Sequence, residues 1–272
     1  MLNIVDILLF TVLYFGIAFS SYLLAPKITS SDKDKKKDNH LYYSWFPSGV
    51  HALTSSILVL IKICTEKRDF NGNASDLTKI IAEQSIGYFI HDSIKSEIFH
   101  LNDSLMRLHH IFALIGLTSG LMNNYGSHEI AYGLFLAEIS NVFFVMRGIM
   151  RHLNLKSNKF YLTSEILFAV IFISIRSLIG PIYNTLVFSD AKIPMISKLF
   201  GCCLNFLSTI WIAEILCTIG MKLTSNKSDK FALFYRKVAE GLRKSKKYKA
   251  IYYGTLIIPQ IAFSIVNHIN SH

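Results

Sequence analysis

Two adjacent histidines, His109 and His110, open the apolar stretch LMRLHHIFALIG. Acidic residues interrupt the apolar stretches on either side: Asp92 in GYFIHD and Glu138 in LAEISN. An ionisable group in hydrocarbon is costly and is rarely kept there without a partner or a task. An imidazole titrates near neutrality, so it can take a proton from a hydroxyl or amine nucleophile, or itself attack an activated acyl group. A neighbouring carboxylate would orient the ring and stabilise its charged form. His109, His110, Glu138 and Asp92 are therefore the candidate catalytic set. Asn141 stands one turn from Glu138, Arg147 lies further along the same run, and Arg176 and Glu214 interrupt later ones. With Tyr88 of GYFIHD, these residues are expected to line a polar pocket. A charge-balanced structural network, with Asp92 or Glu138 paired to Arg147 or Arg176, is the alternative.

Metal chemistry fits the pattern poorly. Neighbours on a helix point about 100° apart, so His109 and His110 cannot easily face one ion. The i, i+4 histidine pair of a zinc helix is missing. No GxSxG nucleophile motif or glycine-rich phosphate loop occurs. The expectation is no metal and no cofactor. Cys64, Cys202, Cys203 and Cys217 form no CxxC pair and read as buried thiols.

The elements that must position these groups are membrane helices. Hydrophobic residues make up 51% of the chain and charged ones 17%, with mean hydropathy +0.38. A soluble domain carries about 25% charge. Runs near the ~20 residues of a spanning helix occur at about 4–25, 42–64, 79–99, 107–124, 129–150, 159–188 and 194–221. The fold class is all-α: a polytopic membrane helical bundle of about seven transmembrane helices, or eight if 250–266 also crosses. The first run lacks a basic leader and a cleavage site, so it reads as a span. Pro47 and Gly49 predict an irregular start to the second, and Pro181 a kink or early end to the sixth. The third carries Glu83, His91, Asp92 and Lys95, which only a helix facing the bundle interior could hold.

Four segments follow. Residues 1–41 hold the first span and a lysine-rich cytosolic loop, expected to be flexible. Residues 42–222 form the main membrane domain. Residues 223–249 are basic, with Phe231, Phe234, Tyr235, Val238 and Leu242 at helical spacing. This suits an amphipathic surface helix, or a docking site (222–249) for a protein partner or anionic lipid. Residues 250–272 form a C-terminal apolar helix and tail. The net charge of +10 lies mainly between the apolar runs. It signals topology rather than nucleic acid, for which no motif is present. With alternating spans, 21 of the 28 Lys and Arg fall on the side of the lysine loop and six on the other. That puts the loop in the cytosol and the N-terminus in the lumen, with the pocket in the cytosolic half.

The ordered set GYFIHD, LMRLHHIFALIG and LAEISNVFFVMR resembles the TLC domain, a family that includes ceramide synthases and translocating-chain-associated membrane proteins. The resemblance covers residues 43–222 and is nearest to the TLC domain-containing protein 4 branch. It implies a helical bundle in the endoplasmic reticulum or a related membrane, enclosing a lipid-accessible cavity. It also implies that His109 and His110 match the paired histidines serving acyl transfer from acyl-CoA. The family's D-x-x-D becomes Glu138 and Asn141 here. Asn141 cannot ionise, which puts sphingoid-base acylation in doubt. Three functions follow: lipid homeostasis with a membrane lipid in a polar cavity, acyl transfer with acyl-CoA as co-substrate and His109 as base, or a trafficking adaptor. Oligomeric state is not legible.

Overall fold

The computed structural model describes residues 2–24, 33–67, 73–101, 103–124, 127–190, 193–224 and 237. Among these the secondary structure is helical, without strands. The helices are α1 (Ile4–Leu24), α2 (Lys33–Thr65), α3 (Asp76–Ile98), α4 (Ser104–Met122), α5 (Ser127–His152), α6 (Lys159–Ser174), α7 (Gly180–Ser189) and α8 (Met195–Thr224). A π-helical turn, Ile175–Ile179, joins α6 to α7. Six spans are long and apolar enough to cross a membrane: α1, the Asn39–Thr65 part of α2, α4, α5, the continuous Lys159–Ser189 segment, and α8. The chain is thus an integral membrane protein. The basic segment 223–249 and the apolar run 250–266 lie outside the described residues, apart from Lys237.

The exception, α3, explains the bundle. It is too polar to stand as a span by itself, and it packs against α1, α2, α4 and α5. Glu83, Gln84, Ser85, His91, Asp92, Lys95 and Ser96 are all buried along it. Neighbouring helices shield these groups from lipid, as the sequence required. Meanwhile α1 turns Leu8, Leu9, Val12 and Phe19 outward. Ser75 caps α3 by accepting from Thr78 N–H, and Asp103 caps α4 by accepting from Met106 N–H. Gly87 lets α1 and α3 touch. A Cβ there would stand 2.7 Å from Phe10 Cβ and 3.0 Å from the Thr11 backbone nitrogen.

Three local expectations are corrected. The lysine-rich stretch is helical from Lys33 onward, because extending a formed helix costs little and lysine is a good helix former. Pro47 does not give α2 an irregular start; the helix runs through it, and Pro47 is fully buried. Its missing N–H frees the Tyr43 carbonyl, which Ser21 Oγ reaches from α1 at 3.3 Å while also donating to Ala18 O at 2.7 Å. Pro181 does not end the sixth span. The ladder widens by one residue just before it, and Gly180 N–H donates to Ile175 O.

Candidate functional site

The paired histidines point to different places. His110 is buried with its Nε2 3.4 Å from Asp92 Oδ2, while Lys95 Nζ donates to Asp92 Oδ1 at 2.9 Å. The Ser93 hydroxyl lies 3.4 Å from His110 Nδ1. Asp92 thus binds α3 to α4 and sits between a cation and an imidazole. His109 turns the other way, edge-on to Trp211 with ring centroids 5.4 Å apart. Its Nδ1 is buried without a hydrogen-bond partner. The rotation of one residue along α4 produces this divergence.

Glu138 is the second acidic centre and the third-span helix meets it indirectly. Its Oε2 accepts from Asn141 Nδ2 at 3.1 Å. Its Oε1 lies 3.7 Å from Nε2 of His51 on α2. His51 is wholly buried. Gln84 Nε2 donates to His51 Nδ1 at 2.8 Å, so a neutral His51 carries its proton on Nε2, toward Glu138. Gln84 also donates to Tyr14 OH at 2.6 Å, and the Ser55 hydroxyl lies 3.3 Å from His51 Nδ1. Tyr88 lies flat against His51, with centroids 4.0 Å apart and planes 10° apart, and donates to Ser48 Oγ at 2.9 Å.

His109 and Glu138 line one cavity of about 180 Å³ between α4, α5, the π turn with α7, and α8. Arg176 on the π turn lines it too. Arg176 donates through Nη2 to Ala137 O at 3.2 Å and lies over the Phe172 ring, while its Nε is buried without a partner. The walls are mostly apolar, including Ala113, Leu117, Leu134 and Val187. From Glu138 the lining extends along α5 to Glu129, roughly 13 Å at 1.5 Å per residue. That is the end where α4 finishes and α8 begins, with Lys198 on the wall donating to Phe188 O at 3.1 Å. Under the orientation read from the charges, the cavity rises toward the lumenal side rather than filling the cytosolic half.

The expected set therefore divides. His109, Glu138 and Arg176 meet at the cavity. His110 and Asp92 form their own centre beside it, and Asn141 and Tyr88 act on the Glu138 side through contacts rather than as wall residues. Arg147 turns away; it pairs with Glu165 at 3.5 Å and lies over Phe144 and Phe168. Glu214 is exposed on α8, away from the wall. The sequence reading missed His51, Gln84 and Tyr14. A signal for His51 existed, since it interrupts the apolar run of α2 as His109 interrupts that of α4.

A family model described as the TLC domain matches residues 42–220. The chain belongs to the TLC domain family. No curated protein and no solved structure matches it significantly. The TLC domain runs from α2 to α8, so it contains His51, Gln84, Asp92, both paired histidines, Glu138 and Arg176. Tyr14, on α1, is the one member of the polar network outside it.

Proposed function

We propose that this TLC-domain protein serves lipid homeostasis by holding a membrane lipid in the cavity beside His109, Glu138 and Arg176. One observation carries the reading: three ionisable groups close one end of a space whose remaining walls are mainly apolar. Pockets of this make-up fix a polar head with a few groups and leave an apolar remainder to the walls. Membership of the TLC domain family supports an endoplasmic reticulum or related membrane, and the distribution of Lys and Arg supports a lumenal N-terminus. The order of GYFIHD, HH and AEIS supports the TLC domain-containing protein 4 branch. The test is lipid retention. Protein purified into nanodiscs should retain a specific lipid, identified by mass spectrometry, and Gly201→Phe should release it. A Cβ at Gly201 meets only Asn184 Oδ1, at 3.9 Å, so the side chain has room to enter the cavity. An identical lipid profile in the variant counts against the reading.

Acyl transfer is the second reading, favoured by His109 and Glu138 lining the same cavity while His109 Nδ1 has no hydrogen-bond partner. His109 would take the proton of a hydroxyl or amine acceptor as that acceptor attacks the thioester carbonyl of acyl-CoA. The carbon–sulfur bond then breaks and the CoA thiolate leaves with the proton. Labelled acyl-CoA, offered with a panel of acceptors, tests it. Equal transfer by wild type and His109→Ala rules out the role for His109.

A further inference from the structure

Building on the lipid-cavity reading, we infer that α7 is a hinged door that opens the cavity sideways to the lipid of one leaflet. Size is the first reason. The cavity holds about 180 Å³ as it stands, and one of about 150 Å³ holds a single benzene molecule. A membrane lipid enters only if a wall moves.

The wall with least to hold it is α7. Among the described residues, α4, α5, the π turn and α8 each contribute buried residues, whereas α7 has none. Tyr183, Asn184, Val187 and Phe188 line the cavity from its inner face, while Ile182 and Leu186 are exposed on the outside. The helix is the last part of the spanning segment Lys159–Ser189. One loosely packed helix therefore separates the cavity from hydrocarbon.

The start of α7 has the make-up of a hinge. Gly180 N–H donates to Ile175 O across the widened π turn. Pro181 follows and has no N–H to continue the ladder. Single π turns inside helices occur mostly at functional sites. Beyond the hinge, two side-chain contacts tie α7 across the cavity. The Tyr183 hydroxyl donates to Glu129 O on α5, and Lys198 Nζ on α8 donates to Phe188 O at 3.1 Å. Gly133 leaves the slot that Tyr183 fills, because a Cβ there would stand 3.0 Å from the hydroxyl oxygen. A helix jointed at one end and tied by two polar contacts further along can swing without disturbing the packed core.

The experiment reads the door through a cysteine behind it. Cys64, Cys202, Cys203 and Cys217 are replaced by Ala in the full chain, and Gly201→Cys is introduced on the cavity wall. In nanodiscs the thiol is offered an apolar reagent, N-cyclohexylmaleimide, or a permanently charged trimethylammonium thiosulfonate. Tyr183→Phe should raise the apolar rate roughly two- to tenfold, the worth of one hydrogen bond. Pro181→Ala restores a backbone donor at the hinge and should lower that rate. Ser21→Ala, at a tie between α1 and α2 remote from α7, should leave it unchanged. The charged reagent should stay slow throughout. An unchanged rate in Tyr183→Phe overturns the door. So does a faster rate in Pro181→Ala or Ser21→Ala, which would mean general loosening of the bundle. An equal gain for the charged reagent overturns the opening to lipid in favour of one to water. Lipid retention on the same samples separates the two readings: a chain that retains no specific lipid yet follows this labelling pattern loses the lipid-cavity reading and keeps the door.

Discussion

Asp92→Asn isolates what the buried charges contribute. In the native bundle one carboxylate serves two partners, Lys95 Nζ at 2.9 Å and His110 Nε2 at 3.4 Å. The side chains of Asp92, Lys95 and His110 are 12%, 9% and 6% exposed. Neutralising Asp92 strands the Lys95 cation among packed helices. Breaking a buried pair in this way costs about 3–5 kcal/mol. At ~2–4 °C per kcal/mol for a chain of this general size, the loss in melting temperature is roughly 6–20 °C. Removing both charges, in Asp92→Asn with Lys95→Met, should restore much of it, because an apolar side chain of similar length replaces the pair without leaving a lone ion. The assay is thermal unfolding in detergent, read as the monodisperse fraction on size exclusion. If the double variant is as unstable as the sum of its parts, the two residues are not coupled and the reasoning fails.

Further predictions follow from packing and from the polar networks. Gly87→Val should destabilise by about 1–3 kcal/mol through overpacking against the α1 backbone. Gly16→Ala, with nothing within 4 Å of its new Cβ, should stabilise by roughly 0.5–1 kcal/mol; melts of the two variants check the opposite signs. His91 is buried with both ring nitrogens unpartnered, edge-on to Phe15 at 4.6 Å. His91→Phe should therefore hold or raise stability, whereas His51→Phe, which breaks the contacts with Gln84 and Glu138, should lower it by about 1–3 kcal/mol; equal melting temperatures would refute the distinction. At the turn between α2 and α3, burial would raise the Glu66 carboxyl, but hydrogen bonds from Lys62 and Ser75 outweigh it and hold the group below its ordinary value. A depressed carboxyl stabilises above its unfolded value, ~4.3, and loses that contribution as the pH falls through the lower folded value. Glu66→Gln should flatten that acid limb of a stability-against-pH profile.

The bundle was legible because hydrocarbon imposes length and polarity rules that a single chain must obey. Even α3 was found through its polarity, since only an enclosed helix can carry Glu83, His91, Asp92 and Lys95 together. The site was legible in part. Position along a helix follows from residue number, and it placed His109, Glu138 and Arg176 at related depths. Rotation about the helix axis depends on which neighbour each face meets. That is why Arg147 turned to Glu165 and Glu214 to the outside. Partners from distant segments were harder still: nothing in LAEISN points to His51, 87 residues earlier. Pro47 misled because its local cost is offset by a tertiary contact; at Pro181 only the early end failed, because a widened helical turn just before it lets the span continue.

The central claim is that a lipid occupies the space between α4, α5, α7 and α8. Photo-crosslinking tests it most directly. A palmitate analogue with a diazirine midway along its chain, irradiated with the protein in nanodiscs and mapped by peptide mass spectrometry, should label Leu117, Leu134 and Val187. Gly201→Leu should abolish that labelling. Labels confined to the outward-facing residues of α1 and α6, unaffected by Gly201→Leu, would contradict the account.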